Sequence, residues 1–363
     1  MRKHHALYAL AFAILATGPM AADAAVFDGF RTLNGKAPVV VAHRGAPAYL
    51  PENSIGGNEL SAEMGAELIE TDVMMTRDGV LIAMHDTTLT RTTNVAEVYA
   101  PRNGNYRVSD FDYDELQSLT LKPTGSGQLT YPGFEPSDPD AYRIPTFADM
   151  LDALNDYNSA NGTNVGILTE AKYGFNADTN RAVIATLADK GFTTSDKSVV
   201  QGFDFGNVFD FLLLQDEFDV DMGVAQLGSA TMIGDEWGVS NLVSLTNLSK
   251  YVDTVAVNTG SLTEEFIAAA HDLDLSVFAW TYRPADLDAA FAQMSDHIAW
   301  GLDGLITDNP DLARAVIDSI AAAGTVSAIN TSVAPVPVPA ALPLLAGAFG
   351  ALAMLRRSKA ARG

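Results

Sequence analysis

In the stretch VVVAHRGAPAYLPENS a run of β-branched residues ends on His43, Arg44 and Gly45, so an imidazole and a guanidinium stand where a strand gives way to a loop. Glu70 and Asp72 lie two apart in AELIETDVMM, and Glu170 and Lys172 repeat that spacing in VGILTEAK. Residues two apart in an extended chain project from the same face. Three carboxylates converging on one pocket repel one another, and a hard divalent cation with oxygen ligands is the natural compensation. The chain has no Cys and its His are wanted elsewhere, so calcium or magnesium is expected ahead of zinc. The competing expectation is structural, with Glu70 and Glu170 simply paired to Arg44 and Lys172.

His85 sharpens the choice. VLIAMHD (80–86) follows AELIETDVMM (66–75) after a few residues around Asp78. That gap is too short for a parallel crossover, so the two segments pair as an antiparallel hairpin. Its register sets residue 85 opposite residue 71, which brings His85 beside Glu70 and Asp72. Of the six His, His4 and His5 fall in a leader, and His271 and His297 read as surface. His43 and His85 are left to share a pocket. Two imidazoles titrating near neutrality, beside a cation and fixed positive charge, suit phosphodiester cleavage. One serves as base for the nucleophile, one as acid for the leaving alcohol, and Arg44 meets the phosphate.

The elements that must position these residues follow a repeating pattern. Short apolar runs are expected as strands at 38–44, 66–75, 80–86, 165–172, 198–203, 220–227, 254–259, 276–282 and 303–308. Helical segments at 176–191, 263–275 and 284–297 fit between them. Setting the hairpin strand aside leaves eight βα units, which describe a (β/α)8 TIM barrel, with active-site residues gathered at the C-terminal ends of its strands. An open doubly wound sheet is the alternative, but no Gly-rich dinucleotide loop follows the first strand. Residues 95–144, rich in Gly, Pro, Asp and Tyr, are too long for a simple connection and read as an insertion after the hairpin, over the barrel mouth. The globular domain is placed at 36–322 and a Ser/Thr/Ala/Pro linker at 323–335.

The ends read as addresses. Residues 1–24 have a basic start, an apolar run and small residues before the break, the pattern of a secretory signal peptide. Residues 336–363 join a VPVPA motif to an apolar run and the cluster Arg356, Arg357, Lys359 and Arg362. This tail resembles the PEP-CTERM class of sorting tails in its VPxPA variant, the alternative being an ordinary membrane anchor with positive flanks. Both readings imply a protein outside the cytoplasm, and the resemblance to PEP-CTERM tails implies the periplasm or cell surface of a Gram-negative bacterium. Membrane contact would come through the tail only, and a sorting enzyme would be a partner. The formal net charge of -23 becomes more negative still without these basic ends, which argues against nucleic acid as a partner.

The motifs HRGAPAYLPENS, GAELIETDVMMTRDGVLIAMHDTTLTRTTNV, TEAK, FAWTY and GLDGLITDNPD together resemble the glycerophosphodiester phosphodiesterases over about residues 38–316, and the long insertion is closer to the periplasmic type. The resemblance implies a glycerophosphodiester substrate cleaved to sn-glycerol 3-phosphate and an alcohol. It also implies His43 and His85 as the acid/base pair, Glu70, Asp72 and Glu170 as metal ligands, Arg44 and Lys172 on the phosphate, and Trp280 beside the glycerol. QGFD at Gln201–Asp204 departs from the family's Ser-Phe strand. Attack on phosphorus by a vicinal glycerol hydroxyl or by water is left open. Two other functions stay in view: a phospholipase of the same barrel superfamily, docking through Tyr99, Tyr106, Tyr131 and Phe134 of the insertion, and an inactive surface-tethered binding barrel.

Overall fold

The computed structural model describes residues 29–332, apart from positions 173 and 241. The expected signal peptide and sorting tail lie outside the described residues. Twelve strands are present among those described: β1 (Val39–Ala42), β2 (Leu68–Met75), β3 (Leu81–Ala83), β4 (Gly166–Ala171), β5 (Thr194–Gly202), β6 (Asp221–Gly228), β7 (Ala230–Ile233), β8 (Glu236–Val239), β9 (Val243–Ser244), β10 (Thr254–Asn258), β11 (Ser276–Tyr282) and β12 (Gly304–Thr307). Strands β1, β2, β4, β5, β6, β10, β11 and β12 pair in parallel in that order, and β1 closes the ring by pairing with both β12 and β2. The fold is a (β/α)8 barrel.

Closure buries both faces of the sheet, which is why these strands read as near-continuous apolar runs. Outward-facing residues such as Val40, Ile69, Ile167, Val255 and Leu305 join the helices in the main core. Inward-facing Val41, Leu68, Leu168, Val199, Ala256, Phe278 and Ile306 pack the barrel's own interior. Two residues further along every parallel strand but β6 that interior turns polar. His43, Glu70, Glu170, Gln201, Asn258, Trp280 and Asp308 succeed those apolar residues in turn. One period-2 register therefore builds both the packed floor and the chemical layer above it.

The hairpin pairs Val73 with Ala83 and Met75 with Leu81. Continued two residues, that register sets 71 opposite 85 as expected, and Met84 N still donates to Asp72 O at 3.0 Å. The insertion is more than a cover. Val95, Val108, Phe111, Leu116 and Leu119 bury against Ile82, Met84 and Leu89 as a second core behind the hairpin. Tyr99 packs on Phe111, Tyr131 meets Tyr49, and Phe134 is buried. The aromatic residues considered for a lipid-docking rim thus face inward.

Four expectations need correction. The connection from β6 to β10 holds an antiparallel sheet, β7–β8–β9, and a one-turn helix, Leu245–Leu248, in place of a full helix; strands of two to four residues carry too little alternation to show in sequence. The helix expected from 284 starts at Leu287, because Asp286 caps it by accepting from Ala289 N. The helix Pro310–Ser332 runs into the stretch expected as a linker from 323, continuing from the alanines 321–323 through weaker helix formers such as Gly324, Thr325 and Val326. His271 and His297 are not free surface groups: His271 Nε2 lies 2.8 Å from Asp303, and His297, inside the helix Leu287–Trp300, lies 2.6 Å from the Tyr282 hydroxyl.

Candidate active site

The sharp turn after β1 presents the first two residues. Arg44 takes a left-handed backbone conformation, φ 56°, and its N–H then donates to Glu70 Oε2 at 2.7 Å. Such a conformation costs a non-glycine residue about 1–2 kcal/mol, so the turn is held by its surroundings. Gly45, at φ 86°, has no room for a side chain: a Cβ there would stand 2.8 Å from Asn58 Oδ1.

Both imidazoles are oriented through Nδ1. His43 Nδ1 lies 2.5 Å from Asp308 Oδ1, and His85 Nδ1 lies 2.7 Å from Asp86 Oδ1. A carboxylate at Nδ1 fixes the proton there and leaves Nε2 as the basic nitrogen. Burial holds the His43 imidazole below the usual histidine range although Asp308 works the other way. His85 is likewise lowered by burial, against the pull of Asp72. The supporting carboxylates are themselves tied down. Arg283 Nε donates to Asp308 Oδ2 at 2.7 Å, and Arg91 bridges Asp86 and Glu52, the latter also bound by Arg44.

Glu70, Asp72 and Glu170 bring carboxylate oxygens within 4.8 Å of one another, all in the buried interior. Two cations face them. Arg44 Nε stands 3.1 Å from Asp72 Oδ2, and Lys172 Nζ stands 2.7 Å from Glu170 Oε1 and 3.4 Å from Asp72 Oδ1. The structural pairing considered from sequence is present, but it is incomplete. Neither contact with Asp72 has hydrogen-bond geometry, and Asp72 Oδ1 is buried without a hydrogen-bond partner. Burial would raise the Asp72 carboxyl, yet Arg44 and Lys172 hold it low, helped by His85 and by the amide of Asn53 at 2.9 Å. Burial together with Asp72 pushes Glu70 well above the carboxylate range, and Glu170 up to about 7. Two cations among three buried carboxylates leave negative charge unmet, as a hard-cation site requires.

His43, Arg44, Glu70, His85, Glu170, Lys172 and Trp280 share the walls of one cavity of about 350 Å3, with Asp72 directly behind. Trp280 donates from Nε1 to Ala256 O and turns its ring edge-on to Phe203, centroids 5.5 Å apart. Sequence reasoning missed Asp308, Asp86, Glu52, Arg91 and Arg283, and noted Gln201 only as a departure from the family's pattern. Asp308 directly follows β12 as His43 directly follows β1, and the two meet only through the closure of the barrel. Gln201 pairs in register with Glu170, is buried, and keeps Oε1 unpartnered in the cavity wall.

A (β/α)8 barrel whose mouth sets two carboxylate-oriented imidazoles beside an acidic cluster and paired cations is a barrel of the phosphodiester-hydrolase class. The family model "Glycerophosphoryl diester phosphodiesterase family" matches residues 43–312. The chain belongs to that family and is an enzyme, a phosphoric diester hydrolase. Among curated relatives, YhdW of Bacillus subtilis is 27% identical over 272 residues, 75% of this chain and 95% of the relative. The glycerophosphodiester phosphodiesterase of Haemophilus influenzae is 31% identical over 217 residues, 56% of this chain and 60% of the relative. Among solved structures, an Oleispira antarctica phosphodiesterase in complex with the product sn-glycerol-3-phosphate aligns with a TM-score of 0.58 at 20% identity, covering 79% of this chain and 99% of that one.

Proposed function

We propose that this enzyme hydrolyses glycerophosphodiesters to sn-glycerol 3-phosphate and an alcohol, with His43 and His85 transferring protons and a divalent cation, calcium before magnesium, held by Glu70, Asp72 and Glu170. The observation that carries the reading is the pair of imidazoles, each braced at Nδ1 by a carboxylate and both opening on the cavity of the acidic cluster. The fit to a hard cation rests on the all-oxygen donor set, the orphaned Asp72 Oδ1 and the raised Glu70 and Glu170. When bound, the cation supplies positive charge where the phosphoryl oxygens gather.

The chain's own residues do the rest. Arg44 and Lys172 offer fixed positive charge to the non-bridging oxygens, and most of the stabilisation arises as charge builds there in the transition state. Nε2 of one imidazole takes the proton from the attacking hydroxyl or water as the new P–O bond forms. Nε2 of the other gives a proton to the departing alkoxide as the old P–O bond breaks. On the hydroxyl route water then opens the cyclic ester with the two imidazoles' roles exchanged, and on the water route exchange with solvent restores both. Trp280, with Phe203 at its edge, offers an apolar face to the glycerol carbons.

Purified protein given glycerophosphoglycerol should release glycerol 3-phosphate with added calcium and stop with a chelator. His43→Ala and His85→Ala should each lower kcat by about 10²–10⁴-fold. Turnover that withstands chelation, or either substitution, refutes the reading. The same proposal places the mature enzyme outside the cytoplasm, exported by residues 1–24 and held through residues 336–363 until a sorting enzyme acts. Mass spectrometry of the mature termini checks this, and an intact leader on the folded protein would count against export.

A further inference from the structure

Beside the catalytic cavity lies a second, larger one of about 670 Å3, and His43, Arg44 and Arg283 belong to the walls of both. His85 and the acidic cluster line only the inner cavity. A phosphodiester carries two arms on one phosphorus. With its phosphate at the shared wall, against Arg44 and an imidazole, one arm enters each cavity. The glycerol arm has the apolar face of Trp280 and Phe203 inside, so the alcohol arm is left to the outer cavity.

The outer cavity's chemistry restricts that arm. Arg44, Arg91 and Arg283 face it against the carboxylates Glu52 and Asp308, one more cation than anion among its lining residues, in a chain of net charge -23. Only Nε of Arg283 is engaged, by Asp308, and its side chain is 57% exposed, so its terminal nitrogens are presented to the cavity as donors. Thr124 and Ser126, from the insertion, complete the polar rim. One aromatic ring lines the space, Tyr49, whose hydroxyl donates to Asp311 and accepts from Asn309. A quaternary ammonium is recognised by several aromatic faces, and here it would meet one ring and three arginines. Vicinal hydroxyls suit arginine forks and small hydroxyl side chains.

We infer that the outer cavity is the subsite for the leaving alcohol, and that it selects polyhydroxylated alcohols of the glycerol and inositol class over choline and ethanolamine. The inference rests on the phosphodiesterase reading above and adds to it the identity of the second arm. Specificity comes as much from the arginines' repulsion of a cation as from their attraction for hydroxyls.

The test is kcat/KM, read as glycerol 3-phosphate released with excess calcium, on four diesters of glycerol 3-phosphate: the methyl, glyceryl, inositol and choline esters. The wild type should favour the glyceryl and inositol esters over the choline ester by about tenfold or more. Ser126→Trp and Ala285→Trp, two exposed positions on the outer wall away from the proton-transfer pair and the acidic cluster, should each cost the polyol esters about tenfold. The methyl ester, which has nothing to place there, should stay within about twofold. A choline ester cleaved as well as the inositol ester overturns the inference. So do tryptophan variants that slow all four esters equally. If the wild type cleaves none of the four, the phosphodiesterase reading itself falls and this one with it.

Discussion

His43 and His85 differ in depth but share a device, a carboxylate on Nδ1, and that device makes a specific prediction. In Asp308→Asn an amide faces Nδ1 in place of a carboxylate, free to donate to it and trap the tautomer with its proton on Nε2. We expect kcat to fall about 10²-fold or more with KM little changed, since Asp308 Oδ1 is taken up by His43 Nδ1. Equal losses in both parameters would mean that Asp308 only holds the loop. The acidic cluster predicts a pH effect of definite sign. Glu170 is raised by burial and Asp72 from 4.5 to about 7, so between those values the cation-free folded state binds more protons than the unfolded state. Glu170's contribution to stability therefore falls as pH rises through that window. Calcium requires the deprotonated carboxylates, so the rise in Tm on adding it should be larger at about pH 8 than at about pH 5.5. Scanning calorimetry at the two pH values decides, and an equal or reversed effect would remove the cluster as the binding site. The paired residues Glu70/Asp72 and Glu170/Lys172 were legible because period-2 spacing is a local property. Asp308 and Arg283 were not, because their relation to His43 exists only once β12 closes beside β1.

At the level of elements, the parallel strands could be read because strands buried on both faces leave dense apolar runs, and the hairpin because its short connection admits one pairing. What resisted reading had weak local signal. The strands β7–β9 are too short for alternation to register, and the boundary of the helix Pro310–Ser332 is blurred by an Ala/Ser/Thr composition equally at home in a linker. The insertion was legible as an insertion but not as a support. Its hidden role follows from the second core, where Phe111 and Leu116 pack against Ile82 and Met84, the residues leading directly to His85. Phe111→Ala should cost about 3–5 kcal/mol of stability and also lower kcat, because Met84 carries His85 at the hairpin's end. A truncation of equal cost on the far side of the barrel, such as Phe211→Ala in the main core, should lower Tm and leave kcat nearly unchanged at temperatures where both variants are folded. Equal effects on kcat would show that the insertion is decoration after all.

Taken whole, the protein sets a local field against a global one. Four of its 22 lysines and arginines, namely Arg44, Arg91, Lys172 and Arg283, stand around the two cavities, while the chain carries a net charge of -23. Each of the four is close to a carboxylate, so their field fades within a few ångströms and the long-range potential is that of the acidic whole. A small monoanionic diester is repelled at a distance and captured on arrival. A polynucleotide, whose many phosphates must approach together, meets that repulsion at every phosphate, so the net charge argues against nucleic acid as a partner. Added salt should then screen the approach more than the capture. With calcium saturating, raising sodium chloride from about 10 mM to about 150 mM shortens the screening length from roughly 30 Å to roughly 8 Å, and kcat/KM for a glycerophosphodiester should rise about twofold with kcat unchanged. Initial rates at low and high substrate separate the two parameters. A fall in kcat/KM over that range would show that the arginines at the mouth govern the encounter and that the acidic surface plays no part in selecting the substrate.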